Sequence, residues 1–248
     1  MNEICSAFLL TTLAGLSTGI GSAIAYGIRR PKLTYLSVLL GFSAGVMIYI
    51  SFVELLGAAI EEVGFLNANL AFFCGIITIF LVDRLIPHIH VDVQKDTQRG
   101  SLEYAGMMTA VGIAIHNFPE GLAVLAVALA SPEFGIPIAL AIAIHNIPEG
   151  ISVSVPIFYA TGNRRKAFLY SFLSGISEPV GALVGYLILL PFITPMLLAS
   201  TLAFVGGIMV FICFDELIPV ANKYGEQHLC MYGLFLGMFI MMVSLMEL

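Results

Sequence analysis

The sequence predicts an all-α, polytopic membrane protein whose eight transmembrane helices form a 3+2+3 inverted repeat. Three observations predict it. Only 10% of the 248 residues are charged and 59% are hydrophobic, whereas a soluble globule carries about 25% charged residues. Apolar stretches close to the roughly 20 residues that cross a bilayer recur along nearly the whole chain. Distant stretches also repeat one another in opposite orientation. A closed β-barrel is the other spanning solution, but its alternating period is absent, and the Ala, Leu, Gly and Met content suits helices. With almost no aqueous part, residues 1–248 read as one membrane domain.

The eight spans fall at 4–28, 33–60, 66–87, 104–130, 135–160, 167–190, 195–220 and 229–247. The first has no Lys or Arg before it and Arg29, Arg30 and Lys32 after it. That is not the pattern of a cleaved signal, so it reads as a retained helix. Positive charge orients the rest. Arg29, Arg30, Lys32, Arg84, Lys95, Arg99, Arg164, Arg165, Lys166 and Lys223 all lie in or beside the odd-numbered connections. Those loops are expected in the cytoplasm, with both termini outside. A missed or invented helix would scramble this alternation, so it also supports eight spans. The outer side carries acids: Glu3, Glu61, Glu62, Glu133 and Glu247. Net charge is −6, which offers nothing to nucleic acid. Cys5, Cys74, Cys213 and Cys230 form no CxxC pair and read as reduced packing residues.

"GVMIYISFVELL" from Gly45 in span 2 aligns with "GIMVFICFDELI" from Gly207 in span 7. Gly45/Gly207, Met47/Met209, Phe52/Phe214 and Glu54/Glu216 coincide. Spans 1 and 6 correspond through Gly15/Gly175, Ser17/Ser177, Gly21/Gly181 and Tyr26/Tyr186. "AIHNFPEGLAV" from Ala114 in span 4 corresponds to "AIHNIPEGISV" from Ala143 in span 5. Spans 3 and 8 show no clear match. Each pair joins an even span to an odd one, so partners run oppositely and the repeat is inverted. Spans 1–3 repeat as 6–8, and spans 4 and 5 form the centre. Such repeats mark secondary transporters, which bind their cargo near the midplane between the repeats.

The central chemistry follows from helix geometry. His116 and Glu120 share a helix face, as do His145 and Glu149, with Asn117 and Asn146 beside them. Pro119 and Pro148 free the carbonyls of Ile115 and Ile144. Glu178 lies near the middle of span 6. An ionisable group at that depth costs about 2.5–3.5 kcal/mol or more, so three glutamates there must share a cation, protons or water. Imidazole, carboxylate and amide oxygen suit Zn²⁺, Fe²⁺, Mn²⁺ or Co²⁺, and the set is too rich in nitrogen for Mg²⁺ or Ca²⁺. Three carboxylates and two histidines exceed the needs of one tetrahedral ion, so two ions bridged by glutamate fit.

At "HNFPEG", "HNIPEG", "SEPVG" from Ser177 and "DELIPVA" from Asp215, the chain resembles the ZIP (Zrt/Irt-like) metal transporters, above all their bacterial ZupT-like branch. The resemblance covers essentially the full chain. It implies uptake of divalent transition metal into the cytoplasm: zinc, with iron, manganese, cobalt and cadmium as further candidates. It also implies a cell-membrane location and members that dimerise. Residue by residue, it carries a binuclear centre over to His116, Asn117, Glu120, His145, Asn146, Glu149 and Glu178, with Met47 as a weaker match. The long His-rich loop of many members is reduced here to His88, His90 and Asp92.

Symmetry then suggests a route. Glu54 near the outer end of span 2 is placed to collect the ion, and Asp215 and Glu216 near the inner end of span 7 to release it towards His88, His90 and Asp92. Asp83 is expected to pair locally with a cation and has no assigned role. Without a Walker A motif the chain is no ATP-driven pump by itself. The family resemblance favours an elevator-like shift of spans 1, 4, 5 and 6. An enzyme is not expected. The rival reading, an intramembrane metal-dependent hydrolase, would usually show HExxH, which is absent.

Overall fold

The structure is a computed structural model that describes residues 3–27, 32–85, 97–130, 132–189, 192 and 194–246. Every regular element among them is helical. Span 1 is α1 (Glu3–Gly27). Span 2 is α2 (Leu33–Ile50) continued through a π-helical turn, Ser51–Leu55, into α3 (Leu56–Val63). Span 3 is α4 (Phe65–Leu85), span 4 is α5 (Thr97–Ala130) and span 5 is α6 (Pro132–Thr161). Span 6 is α7 (Arg164–Val184) with a π turn at Gly185–Leu189. Span 7 is α8 (Pro195–Ile212), a π turn at Cys213–Leu217 and α9 (Ile218–Tyr224). Span 8 is α10 (Gln227–Met246). Seven of these spans satisfy length and hydropathy criteria for crossing a membrane over their described residues. The remaining one, α6, is 30 residues long.

Local chemistry sets the ends. α3 stops at Gly64, whose φ of +80° only glycine adopts without strain. α7 begins where Asn163 Oδ1 accepts from the Lys166 amide at 3.0 Å. Thr194 caps α8 by accepting from the Leu197 amide, with Pro195 at the first helical position.

The inverted repeat is visible in the packing. α2 lies against α10 as α4 lies against α8, and α1 lies against α6 as α5 lies against α7. The close approaches repeat too. A Cβ on Gly45 would lie 2.0 Å from the Leu234 carbonyl oxygen, and one on Gly207 2.0 Å from that of Phe72. A Cβ on Gly75 would meet Phe204 O at 2.0 Å, and one on Gly237 Phe42 O at 2.2 Å. The Phe72/Leu234 and Gly75/Gly237 correspondences extend the repeat to spans 3 and 8, where the sequence showed none. The π turns at Ser51–Leu55 and Cys213–Leu217 occupy matching positions as well.

Two groups of helices result. α1, α5, α6 and α7 pack on one another; α2, α4, α8 and α10, with α3 and α9, form the other group. They meet chiefly where α2 crosses α6 and α5 crosses α8. That seam is apolar, with Met47, Ile50, Met209 and Ile212 packed in one cluster with Ile151 and Val155. Among the described residues, Ser43 Oγ donates across it to Pro148 O at 2.7 Å, and Tyr159 Oη of α6 donates to Lys32 O at the start of α2 at 2.8 Å. Small residues allow the close crossings within each group, as expected where lipid removes the hydrophobic drive for helix association.

Candidate metal centre

The structure brings the seven central residues together at the crossing of α5, α6 and α7, all at most 2% exposed. Their hydrogen bonds run between helices. His116 and Glu120 share a face, but each histidine bonds the glutamate of the other helix. His116 Nε2 lies 2.8 Å from Glu149 Oε1, and His145 Nε2 lies 2.9 Å from Glu120 Oε1. The duplicated motif thus closes on itself across the pseudo-twofold axis.

The asparagines are held by backbone. Asn117 Nδ2 donates to Ser174 O at 3.2 Å, and Asn146 Nδ2 donates to Ala14 O at 3.0 Å and Glu178 Oε2 at 2.7 Å. Carbonyl acceptors require the amide nitrogen there, which fixes the amide orientation and leaves each Oδ1 for another partner. Asn117 Oδ1, Asn146 Oδ1, Glu120 Oε2, Glu149 Oε2, Glu178 Oε1 and His116 Nδ1 are buried without a hydrogen-bond partner. A buried polar atom left so costs about 1–3 kcal/mol, more when charged. Carboxylate and amide oxygen and imidazole nitrogen are ligand types that divalent transition metals take, and all six atoms belong to residues of this buried crossing.

Glycines admit this density of polar groups. A Cβ on Gly121 would lie 1.9 Å from Glu178 O, and one on Gly181 1.9 Å from Phe118 O. Their mates repeat the contacts: Gly150 against Thr18 O at 2.1 Å, and Gly21 against Ile147 O at 1.9 Å. The backbone of α7 therefore rides on α5, and that of α1 on α6.

Met47 is fully buried in the seam, with its mate Met209 also buried. Glu54 sits in the first π turn and is exposed. Asp215 and Glu216 sit in the matching turn of span 7. A π turn inserts one extra residue and rotates the helix beyond it, a local feature common at functional sites. Asp83, expected to pair with a cation, instead groups with Asp215 and Glu216, their carboxylate oxygens all within 4.8 Å of one another. No sequence periodicity links α4 to span 7, so only tertiary packing reveals this triad. His88, His90 and Asp92 lie outside the described residues. On the side of the connections at Lys32 and Asn163, Lys166 Nζ pairs with Glu103, tying α7 to α5.

Comparison with known proteins adds an independent line. A family model described as "ZIP Zinc transporter" matches residues 88–245. "Zinc transporter ZupT" of Nitratidesulfovibrio vulgaris is 51% identical, over 98% of this chain and 97% of the relative. The proteins of that name from Clostridium perfringens and Streptococcus mutans are each 49% identical, over 99% and 98% of this chain and 97% and 98% of their own lengths.

Proposed function

The chain belongs to the ZIP zinc transporter family, and on that premise we propose that it carries zinc and kindred divalent transition metals into the cytoplasm by secondary transport. The observation that carries this reading is the crossed pair His116–Glu149 and His145–Glu120, whose second carboxylate oxygens, with oxygens of Asn117, Asn146 and Glu178, are buried and unpartnered. Glu120 and Glu149 each use one carboxylate oxygen on a histidine and have a second to give. They are the bridging ligands of two adjacent ions. Asn117, Asn146 and Glu178 supply further oxygens, and the histidines supply nitrogen.

Each histidine–glutamate bond holds a proton that a cation must displace to take the same atoms as ligands, so metal and protons compete. Glu54 serves the outer mouth, with Met47 on the way in. Asp83, Asp215 and Glu216 serve the inner mouth, leading towards His88, His90 and Asp92. α1, α5, α6 and α7 move as one body along the apolar seam, which offers few directional bonds to resist sliding. The Lys and Arg distribution supports cytoplasmic odd connections and extracytoplasmic termini, and a cell membrane is the expected location.

Zinc flux into proteoliposomes is the test. Saturable accumulation that empty vesicles lack supports transport. Zinc binding without flux, together with hydrolysis of a peptide substrate, favours the intramembrane hydrolase.

A further inference from the structure

The pseudo-twofold axis pairs Glu178 of α7 with Thr18 of α1, and the surroundings of the two residues match. α1 and α7 cross with Gly15 facing Gly175. A Cβ on Gly15 would lie 2.8 Å from Gly175 O and 3.1 Å from Glu178 Cβ. A Cβ on Gly175 would lie 2.7 Å from Gly15 O and 2.8 Å from Thr18 Cβ. Thr18 and Glu178 therefore leave this crossing in mirrored directions. The asparagine anchors are mirrored too: Asn146 holds Ala14 O, and Asn117 holds Ser174 O, the mate of Ala14. On one side Asn146 also bonds the Glu178 carboxylate. On the other side the residue in the place of Glu178 is Thr18.

The Thr18 hydroxyl is fully buried and has no hydrogen-bond partner. A helical threonine usually turns its hydroxyl to the carbonyl one turn back. Thr11, Thr12, Thr109, Thr161 and Thr201 all do so here. For Thr18 that carbonyl is Ala14 O, which already accepts from Ser17 Oγ at 2.6 Å and Asn146 Nδ2 at 3.0 Å. The same oxygen also takes the Thr18 backbone amide within α1, so it is already crowded with donors. A buried hydroxyl without a partner is costly, and valine has the same shape without that cost. Asn117 Oδ1 is likewise unpartnered.

We propose that the Thr18 hydroxyl is a contact of the transported cation, standing on the Asn117 side of the centre where Glu178 stands on the Asn146 side. It rests on the central-site reading above. The two halves then differ by one charge, a neutral hydroxyl against a carboxylate. The ion beside Thr18 is the more loosely held of the pair.

The test is equilibrium zinc binding to the purified full-length protein, for wild type, Thr18→Val, Thr18→Ser, Glu120→Ala and the control Thr11→Val. Thr18→Val is expected to raise the Kd of the weaker zinc by about tenfold, the low end for loss of a group that supports a metal site. Thr18→Ser keeps the hydroxyl and should stay close to wild type, as should Thr11→Val. Wild-type binding by Thr18→Val overturns the proposal, and so does an equal loss in Thr18→Ser, which would make the effect one of packing. If Glu120→Ala loses zinc while Thr18→Val does not, this proposal fails alone. If neither changes binding, the central-site reading fails with it. Thr18→Cys adds a direct signature. With cadmium it should show the ultraviolet absorption of a cadmium–thiolate bond above the wild-type background, and a spectrum equal to wild type places residue 18 out of reach of the ion.

Discussion

Replacing Gly181 by alanine probes how tightly the centre depends on helix contact. The added Cβ would sit 1.9 Å from the Phe118 carbonyl oxygen. Carbon and oxygen do not approach closer than about 3 Å, so α7 and α5 must separate by about 1 Å. Phe118 adjoins Asn117, and Gly181 is three residues beyond Glu178, so the displacement enters the centre itself. Metal–ligand distances tolerate about 0.2 Å, and a misplacement of about 1 Å in a reacting group can cost about 100-fold. Zinc uptake by Gly181→Ala in proteoliposomes should therefore fall by about two orders of magnitude. Overpacking should also destabilise the protein by about 1–3 kcal/mol, read as lowered thermal stability in detergent. Gly21→Ala meets the Ile147 carbonyl at the same 1.9 Å and should behave alike, because the contact is its symmetry mate. Gly19→Ala meets only the Phe172 ring at 3.4 Å and serves as the control. Wild-type uptake by both Gly21→Ala and Gly181→Ala would refute the claim that these crossings set the ligand geometry.

Further expectations concern protons, topology and the outer mouth. Metal affinity should fall as pH drops from about 7.5 to 5.5, where free imidazole gains its proton. Replacing His116 and His145 together with glutamine should weaken binding and flatten that slope; equally steep curves would move the competition to the glutamates. A cysteine at Asn163 should label only from the cytoplasm and one at Glu62 only from outside, and reversed labelling would invert the assigned direction. Glu54→Ala should raise the KM for zinc with little change in maximal rate, since an exposed acid acts mainly on encounter. A lost maximal rate with unchanged KM would place Glu54 in the transport step instead.

Much of this architecture was legible because it repeats. The doubled His-Asn-x-Pro-Glu-Gly motif named six of the seven central residues, and its depth in an apolar run made a packing role untenable. Apolar run length marked the spans, and the alternation of positive charge supported their count and orientation. What stayed hidden depends on contacts between elements. Helical spacing puts His116 over Glu120, yet the bonds run to Glu149 and back from His145 to Glu120, because facing helices offer partners that one helix cannot. "SFVEL" and "CFDEL" read as ordinary apolar helix, and nothing in their composition announces a π turn. Spans 3 and 8 expose many large apolar side chains, among them Phe73, Ile77, Phe235 and Phe239. Such positions tolerate almost any apolar residue, so the repeat survives there in glycines such as Gly75 and Gly237. Thr18 does not resemble Glu178, and only the shared offset of their helices pairs them.

Zinc entry into proteoliposomes loaded with a zinc-sensitive dye, compared among wild type, Glu120→Ala and Glu149→Ala at equal amounts of folded protein, tests the central claim most directly. Each variant removes one carboxylate of the crossed pairs and leaves one histidine without its partner. The account predicts saturable entry for wild type and entry no faster than empty vesicles for each variant. Near wild-type entry in both variants would contradict it, since the ion would then cross the membrane without the crossed histidine–glutamate pairs.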